Sequence, residues 1–276
     1  MVDEKIVDDY KAINSKLLLY DWFVSPYYSG LEFSKIKKLT AKLSSPIGKT
    51  EKESFSKSFV DMLIKGNLNY HFRSIVMFEG YRVTPNLRKF SHLFEAGLFE
   101  FYRFNFITCL GVWIPIVEGV IRSFLNVTFD DRVNRNDLRK LRAKHSEEQP
   151  FLDAVIDTIL NYFSETFFKN VHGQSDLGVH NFNRHFFSHS ISNEPLYCRD
   201  NCLRLLNIFD SFLAIDFIVD TCFKGTFDGT HQRINEREQY YECLVKGALS
   251  DKEIFRTELL KDHPFFDERF YFVHPV

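Results

Sequence analysis

Residues 85–125 read PNLRKFSHLFEAGLFEFYRFNFITCLGVWIPIVEGVIRSFL and form the hydrophobic spine of the chain. Apolar residues recur there every three or four positions, which is the period of an α-helix that buries one face. Pro85 suits the first turn of a helix, where its missing N–H costs nothing, and Pro115 should kink the helix from within. The segment therefore predicts a long, kinked core helix.

Helical spacing continues on both sides of this spine. It predicts helices over residues 3–24, 51–65, 69–79, 151–168 and 198–222, with further ones at 33–43 and within 232–263. Residues 129–149 are highly charged and are typical of an exposed connection with a short basic helix. Since no alternation of strands and helices occurs, the predicted fold class is all-α, a helical bundle with an N-terminal helical extension.

Composition limits the classes of function. The 276 residues include 31 Phe, and the formal net charge is −2, so any contact with RNA must come from a local site rather than from overall basicity. Five cysteines without a CxxC pair and an acidic N-terminal sequence predict a cytoplasmic protein. The longest uncharged run, residues 104–117, is short of the ~20 residues of a membrane-spanning helix, so no membrane is expected.

Common cofactor and metal motifs are absent. The sequence has no GxGxxG, no GxxxxGK[ST], no GxSxG and no HExxH. We therefore expect no cofactor and no metal.

The stretch Asn-Arg-His-Phe-Phe-Ser-His-Ser, residues 183–190, contains the residues most suited to chemistry. On a helix, His185 and His189 would lie on one face, and Asn183 would be a good N-cap. The guanidinium of Arg184 can hold a phosphate with two hydrogen bonds, and an imidazole exchanges protons near neutral pH. Together these groups suffice for cleavage of RNA without a metal.

The spacing of Arg184 and His189 resembles the Rx4–6H motif of HEPN domains, and the wider stretch resembles the NRHxxxHG form found in bacterial defence proteins. The resemblance covers residues 85–225 and includes Pro115, Glu118 and Arg122, which are similar to a P-x-x-E-x-x-x-R helix of such proteins. It implies that residues 81–250 form an HEPN-like bundle. Residues 1–80 are then an N-terminal helical region of unknown role, and residues 251–276 a C-terminal tail.

The resemblance also implies a function. HEPN proteins dimerise so that two motifs share one cleft, and many are metal-independent ribonucleases of toxin–antitoxin or phage-defence systems. Arg184, His189 and His185 are thus the predicted catalytic residues, and RNA, a second copy of the chain and an antitoxin or regulatory protein are the predicted partners. Ser190 stands where the family usually has Gly, which favours the alternative of a non-catalytic HEPN-like binding or regulatory module.

Each of these residues also has a simpler interpretation. Arg184 and His189 could be structural, Asn183 could only cap a helix, and His185 and His189 have the HxxxH spacing of metal ligands but no evident third ligand. Glu118 and Arg122, four residues apart, can pair with each other. That pair would either orient Arg184 across the cleft or be a structural salt bridge.

Overall fold

The computed structural model describes residues 3–26, 30–43, 49–67, 70–128, 130–168, 182, 198–220 and 239–247. Of these residues, 80% are helical and none is in a strand, so the predicted all-α fold class is confirmed. The helices are α1 (Glu4–Leu18), α2 (Gly30–Ala41), α3 (Lys49–Asn67), α4 (Tyr70–Ile75), α5 (Ser91–Tyr102), α6 (Phe106–Leu125), α7 (Gln149–Tyr162) and α8 (Arg199–Asp220).

Shorter helical segments extend or connect these helices. A π-helical segment, Val76–Tyr81, continues α4, and a second one, Phe163–Phe167, continues α7. Turns of 3-10 helix cover Arg88–Phe90, Arg135–Lys140 and Ser146–Glu148, and residues 239–247 are helical.

The spine is two helices rather than the single long helix predicted from its spacing. Phe104 adopts a left-handed conformation with φ of 60°, which ends the first helix. Asn105 then caps α6, since its side chain accepts a hydrogen bond from the backbone N–H of Thr108 (3.4 Å). Pro85 lies in a turn before α5 rather than in the first turn of a helix.

The two helices of the spine pack as a hairpin around Trp113. Its indole stacks on the ring of Phe94 at 5.2 Å and donates a hydrogen bond to the Phe94 carbonyl oxygen (3.0 Å). A Cβ on Gly97 would lie 2.1 Å from the indole nitrogen, so only glycine fits at that position. Residues 85–125 therefore fold back on themselves to form one wall of the core.

Helix α8 is buried on all sides, although it carries polar residues. It packs against α3, α6 and α7, and the described residues 201–216 are all buried. These buried residues include six polar ones, namely Asn201, Arg204, Asn207, Asp210, Ser211 and Asp216. A polar side chain in such a place needs a hydrogen-bonding partner, because desolvation without one is costly.

The N-terminal part of α8 finds its partners in the chain segment that follows α1. Arg204 donates to the carbonyl oxygen of Asp21 (3.1 Å), and its guanidinium lies over the ring of Trp22 at 4.1 Å. Asn207 donates to the carbonyl oxygen of Phe23 (3.1 Å). Asp21 has a φ of 60°, so these contacts hold the chain in a sharp turn as it leaves α1.

Asp210, in the middle of α8, forms an ion pair inside the core. Arg73 of α4 donates two hydrogen bonds to its carboxylate (2.9 and 2.8 Å), and the Tyr81 hydroxyl donates a third (2.8 Å). The side chains of Arg73 and Asp210 are 1% and 0% exposed. The pair crosses the predicted domain boundary at residue 80, and buried residues on both sides of that boundary belong to one hydrophobic core.

Among the described residues, α6 is the one helix long and apolar enough to span a membrane by length and composition. A core helix meets the same criterion, and the α6 residues Cys109, Leu110, Trp113 and Val117 are fully buried within the protein. The expected absence of a membrane partner and the cytoplasmic location stay predictions.

We expect Asp210→Ala to lower the free energy of unfolding by about 3–5 kcal/mol, because the buried charge of Arg73 would lose the carboxylate that neutralises it. The double variant Arg73→Met, Asp210→Leu should recover most of this loss, since it removes both charges. Urea-induced unfolding followed by circular dichroism measures both effects.

The matched control is Arg139→Ala. It breaks an Arg–Asp pair with Asp157 in which both side chains are about half exposed (54% and 55%), and it should change stability by less than about 1 kcal/mol. An Asp210→Ala variant as stable as this control would show that the buried pair does not hold the core together.

Candidate functional site

The predicted catalytic residues Arg184, His185 and His189 lie outside the described residues, as do Asn183 and Ser190. Their mutual geometry and roles stay predictions. Of the predicted site residues, the structure describes Glu118 and Arg122.

The residue that directly precedes this motif is anchored in the core. Phe182 is 1% exposed, and its ring lies 5.1 Å from that of Phe167 at the end of the π-helical segment after α7. Phe167 in turn contacts Phe163 (5.8 Å) and Phe168 (4.8 Å). The motif therefore follows a cluster of aromatic rings made of the buried Phe163, Phe167 and Phe182 and the partly buried Phe168.

The helix that follows the motif is anchored at its first turn. Asp200 of α8 accepts a hydrogen bond from the Ser56 hydroxyl of α3 (3.3 Å), and Ser56 accepts one from the Trp22 indole (3.0 Å). The described residues on both sides of the motif are thus parts of the packed core.

Glu118 and Arg122 form the ion pair that their spacing predicts, with a separation of 3.3 Å on α6. Arg122 also donates to the carbonyl oxygens of Thr128 (2.7 Å) and Asp131 (3.0 Å). These bonds close the turn after α6, where Asn126 is left-handed with a φ of 50°. This geometry gives Arg122 a structural role in that turn, and its predicted role in orienting Arg184 stays a prediction.

A second polar cluster lies at the C-terminal end of α8. The Asp216 carboxylate accepts hydrogen bonds from the backbone N–H groups of Asn86 (2.9 Å) and Leu87 (3.2 Å) and from the Asn86 side chain (2.8 Å). The Asn86 amide also donates to Asp220 (3.0 Å) and accepts from the Ser123 hydroxyl (2.9 Å). Because Ser123 is next to Arg122, this cluster ties α8 to the end of α6 and to the turn before α5.

Burial, with a smaller contribution from the neighbouring Asp220, raises the pKa of Asp216 to about 6, although the hydrogen bonds from Asn86 and Leu87 act to lower the pKa. Two carboxyl groups share one amide donor here, so Asp216 holds its proton to a higher pH than an ordinary aspartate. The described residues contain no group of three or more His, Cys, Asp and Glu that could hold a metal ion.

Sequence reasoning missed the buried polar residues of α8. In the sequence pattern, Arg204, Asn207 and Ser211 mark the face of this helix opposite its broad apolar face, and the structure shows that they too are buried. A signal was present, because Asp210 and Asp216 interrupt the apolar run NIFDSFLAIDFIV, and a charge within such a run requires a buried partner.

Comparison with known proteins gives no match: no protein-family model, no curated protein and no solved structure is significantly similar to the chain. The resemblance to HEPN domains therefore rests on the residues of the motif and of the helix that contains Glu118 and Arg122.

We predict that Asp216 makes stability depend on pH. Its folded-state pKa of about 6 lies above the ordinary value of 3.8, so its protonated form stabilises the fold. That contribution is complete below about pH 3.8 and is lost as the pH rises through about 6. Asp216→Asn, which is neutral at every pH, should show a smaller fall in unfolding free energy over this range.

The measurement is urea-induced unfolding of both proteins across that pH range. Asp8→Asn removes an exposed carboxylate of α1 and serves as the control, which should follow the parent protein. If Asp216→Asn also followed the parent protein, Asp216 would be ionised throughout the range and the assignment would be wrong.

Proposed function

We propose that this protein is a metal-independent HEPN-type endoribonuclease that acts as a toxin or phage-defence effector. The observation that carries the proposal is the sequence Asn-Arg-His-x3-His, residues 183–189, directly after the buried ring of Phe182 in an all-α chain. In the proposed assembly, two copies of the chain bring their motifs together in one cleft that binds RNA.

The proposed reaction is an internal transesterification. The 2′-oxygen of a ribose attacks the adjacent phosphorus, the bond from phosphorus to the 5′-oxygen breaks, and a 2′,3′-cyclic phosphate forms. His189 acts as the general base that takes the 2′-OH proton or as the general acid that protonates the leaving 5′-oxygen, and the second copy supplies the other imidazole. Arg184 holds the phosphate and stabilises the charge of the transition state.

His185 and Asn183 have positioning roles in this proposal. His185 braces the reacting groups, and Asn183 caps the start of the motif or orients the phosphate. Neither group needs to transfer a proton, so their loss should reduce cleavage less than the loss of His189.

The second candidate is a non-catalytic HEPN-like binding or regulatory module. Ser190 in place of the usual Gly favours it, because a glycine there would allow a closer approach of the backbone. The formal net charge of −2 also favours it slightly. Such a module would bind its partner and leave RNA intact.

The test is cleavage of single-stranded RNA in excess EDTA. We expect His189→Ala to reduce the rate by about 10²–10⁴-fold, the usual contribution of a positioned acid or base. Arg184→Lys should be nearly as damaging as Arg184→Ala, because lysine cannot form the bidentate contact with phosphate. His185→Ala should have the smallest effect of these changes.

Two exposed residues of the spine region provide matched controls. Arg88→Ala and His92→Ala remove the same side-chain types from exposed positions and should leave the rate unchanged. Urea unfolding should give the same midpoint for the motif variants as for the parent protein. Cleavage in EDTA that survives His189→Ala would contradict the assignment, and a folded parent protein that cleaves no RNA would favour the non-catalytic module.

A further inference from the structure

One segment of this protein carries an excess of positive charge, between the acidic residues Asp130 and Asp131 on one side and Glu147 and Glu148 on the other. Residues 132–145, which we call the basic strip, contain six Lys and Arg residues and a single acidic residue, Asp137, in a chain whose formal net charge is −2. Such a local excess of positive charge attracts anions even where the protein as a whole does not.

The backbone of the basic strip is fixed to the bundle by its apolar residues. Leu138 is fully buried, and Val133, Leu141 and Ala143 are packed against the core. The backbone N–H of Lys144 donates to the carbonyl oxygen of Ile218 on α8 (3.1 Å). The cations therefore project from a backbone that is held in place.

The turn before the basic strip is fixed as well. Arg122 holds the carbonyl oxygens of Thr128 and Asp131, and the Asp131 carboxylate accepts from the backbone N–H (2.6 Å) and hydroxyl (2.7 Å) of Thr128. The first cation, Arg132, follows directly. The predicted site residue Arg122 thus positions the start of the basic strip.

Half of the cations in the basic strip have no carboxylate partner among the described residues. Arg139 pairs with Asp157 (3.0 Å), and Lys140 pairs with Asp137 (2.9 Å). Exposed Arg132, Arg142 and Lys144 have no such partner there, and Arg142 instead donates to the carbonyl oxygens of Arg139 and Leu141. Their positive charges are therefore available to an external anion.

The basic strip is linked by side-chain contacts to Phe182, the residue before the predicted motif. The guanidinium of Arg135 is 4.5 Å from the ring of Phe168, which contacts Phe167 (4.8 Å), and Phe167 contacts Phe182 (5.1 Å). Phe182 is the residue directly before Asn183. The chain thus enters the motif three side-chain contacts away from Arg135 of the basic strip.

We propose that the basic strip binds the phosphate backbone of single-stranded RNA, with Arg132, Arg142 and Lys144 as contact residues. That this RNA is also the substrate rests on the function proposed above. Arginine and lysine neutralise phosphates regardless of base sequence and supply most of the affinity in this type of binding. The strip thus serves to hold RNA on the protein rather than to select a sequence.

A phosphate backbone fits the basic strip better than an anionic membrane does. Segments that bind membrane surfaces present large apolar side chains beside their cations. Here Val133, Leu138 and Leu141 face the core, and none of the exposed large apolar residues of the described part of the chain lies in the strip.

The experiment measures binding of a fluorescein-labelled, 2′-O-methylated single-stranded RNA by anisotropy over a series of salt concentrations. The methyl groups block the attacking 2′-oxygen, so binding is measured without cleavage. The test variant is Arg132→Gln, Arg142→Gln, Lys144→Gln. The charge-matched control is Lys11→Gln, Lys38→Gln, Lys42→Gln, three exposed lysines of α1, of α2 and of the turn directly after α2.

For single strands each phosphate contact contributes about 0.7 to the slope of log affinity against log salt, so the test variant should lower the magnitude of the slope by about 2. Its affinity at low salt should fall by about tenfold or more, whereas the control should keep the slope of the parent protein. The double variant Arg132→Gln, Lys144→Gln, which leaves the carbonyl contacts of Arg142 intact, should lower the magnitude of the slope by about 1.4.

An unchanged slope in the test variant would overturn the proposal. So would binding to phosphatidylserine vesicles that the test variant loses while RNA binding persists, because the strip would then be a membrane surface. Cleavage of unmodified RNA is scored separately. If the slope of the test variant falls but the parent protein cleaves no RNA, the RNA-binding role of the strip is supported and the ribonuclease proposal is wrong. If the parent protein cleaves RNA but the test variant keeps the slope of the parent protein, the ribonuclease proposal is supported and the proposal for the basic strip is wrong.

Discussion

The ion pair between Arg73 and Asp210 constrains the whole bundle. Both side chains are fully buried, so neither can regain water unless the core opens, and each neutralises the charge of the other through two hydrogen bonds. The pair joins α4 to the middle of α8, and the Tyr81 hydroxyl completes the shell of donors around Asp210. Moving α4 away from α8 would break the ion pair and leave each charge without its counter-charge. The pair therefore keeps residues on either side of the predicted boundary at 80 packed together.

Polar contacts also hold α8 to the rest of the bundle near both of its ends. Near its N-terminal end, Arg204 and Asn207 hold the carbonyl oxygens that follow α1. At its C-terminal end, Asp216 binds the turn before α5, and Ile218 binds the backbone of Lys144 in the basic strip. The surface proposed to hold RNA is therefore built on the same helix that carries the buried ion pair. The backbone that carries the cations of the basic strip is held in place because it is fixed to the core.

Periodicity was sufficient to predict the all-α class and the helices over 151–168 and 198–222, because burial of one apolar stripe determines helical spacing. It failed at Phe104, where a left-handed residue other than glycine breaks the spine, and no local sequence signal marks such a position. In the site, the pairing of Glu118 with Arg122 follows from their spacing on one helix. The contacts of Arg122 with the carbonyl oxygens beyond α6 depend on the path of the following turn, which side-chain chemistry does not specify.

We propose that the basic strip and the motif bind the same RNA strand, and photo-crosslinking is the direct test of this proposal. The probe is a 2′-O-methylated single-stranded RNA that carries 4-thiouridine, irradiated in complex with the intact protein and mapped by mass spectrometry of peptides. We expect crosslinks in the peptides that contain residues 132–145 and 183–189, and their loss at high salt. Crosslinks confined to other parts of the chain, such as α1 and α2, would contradict it.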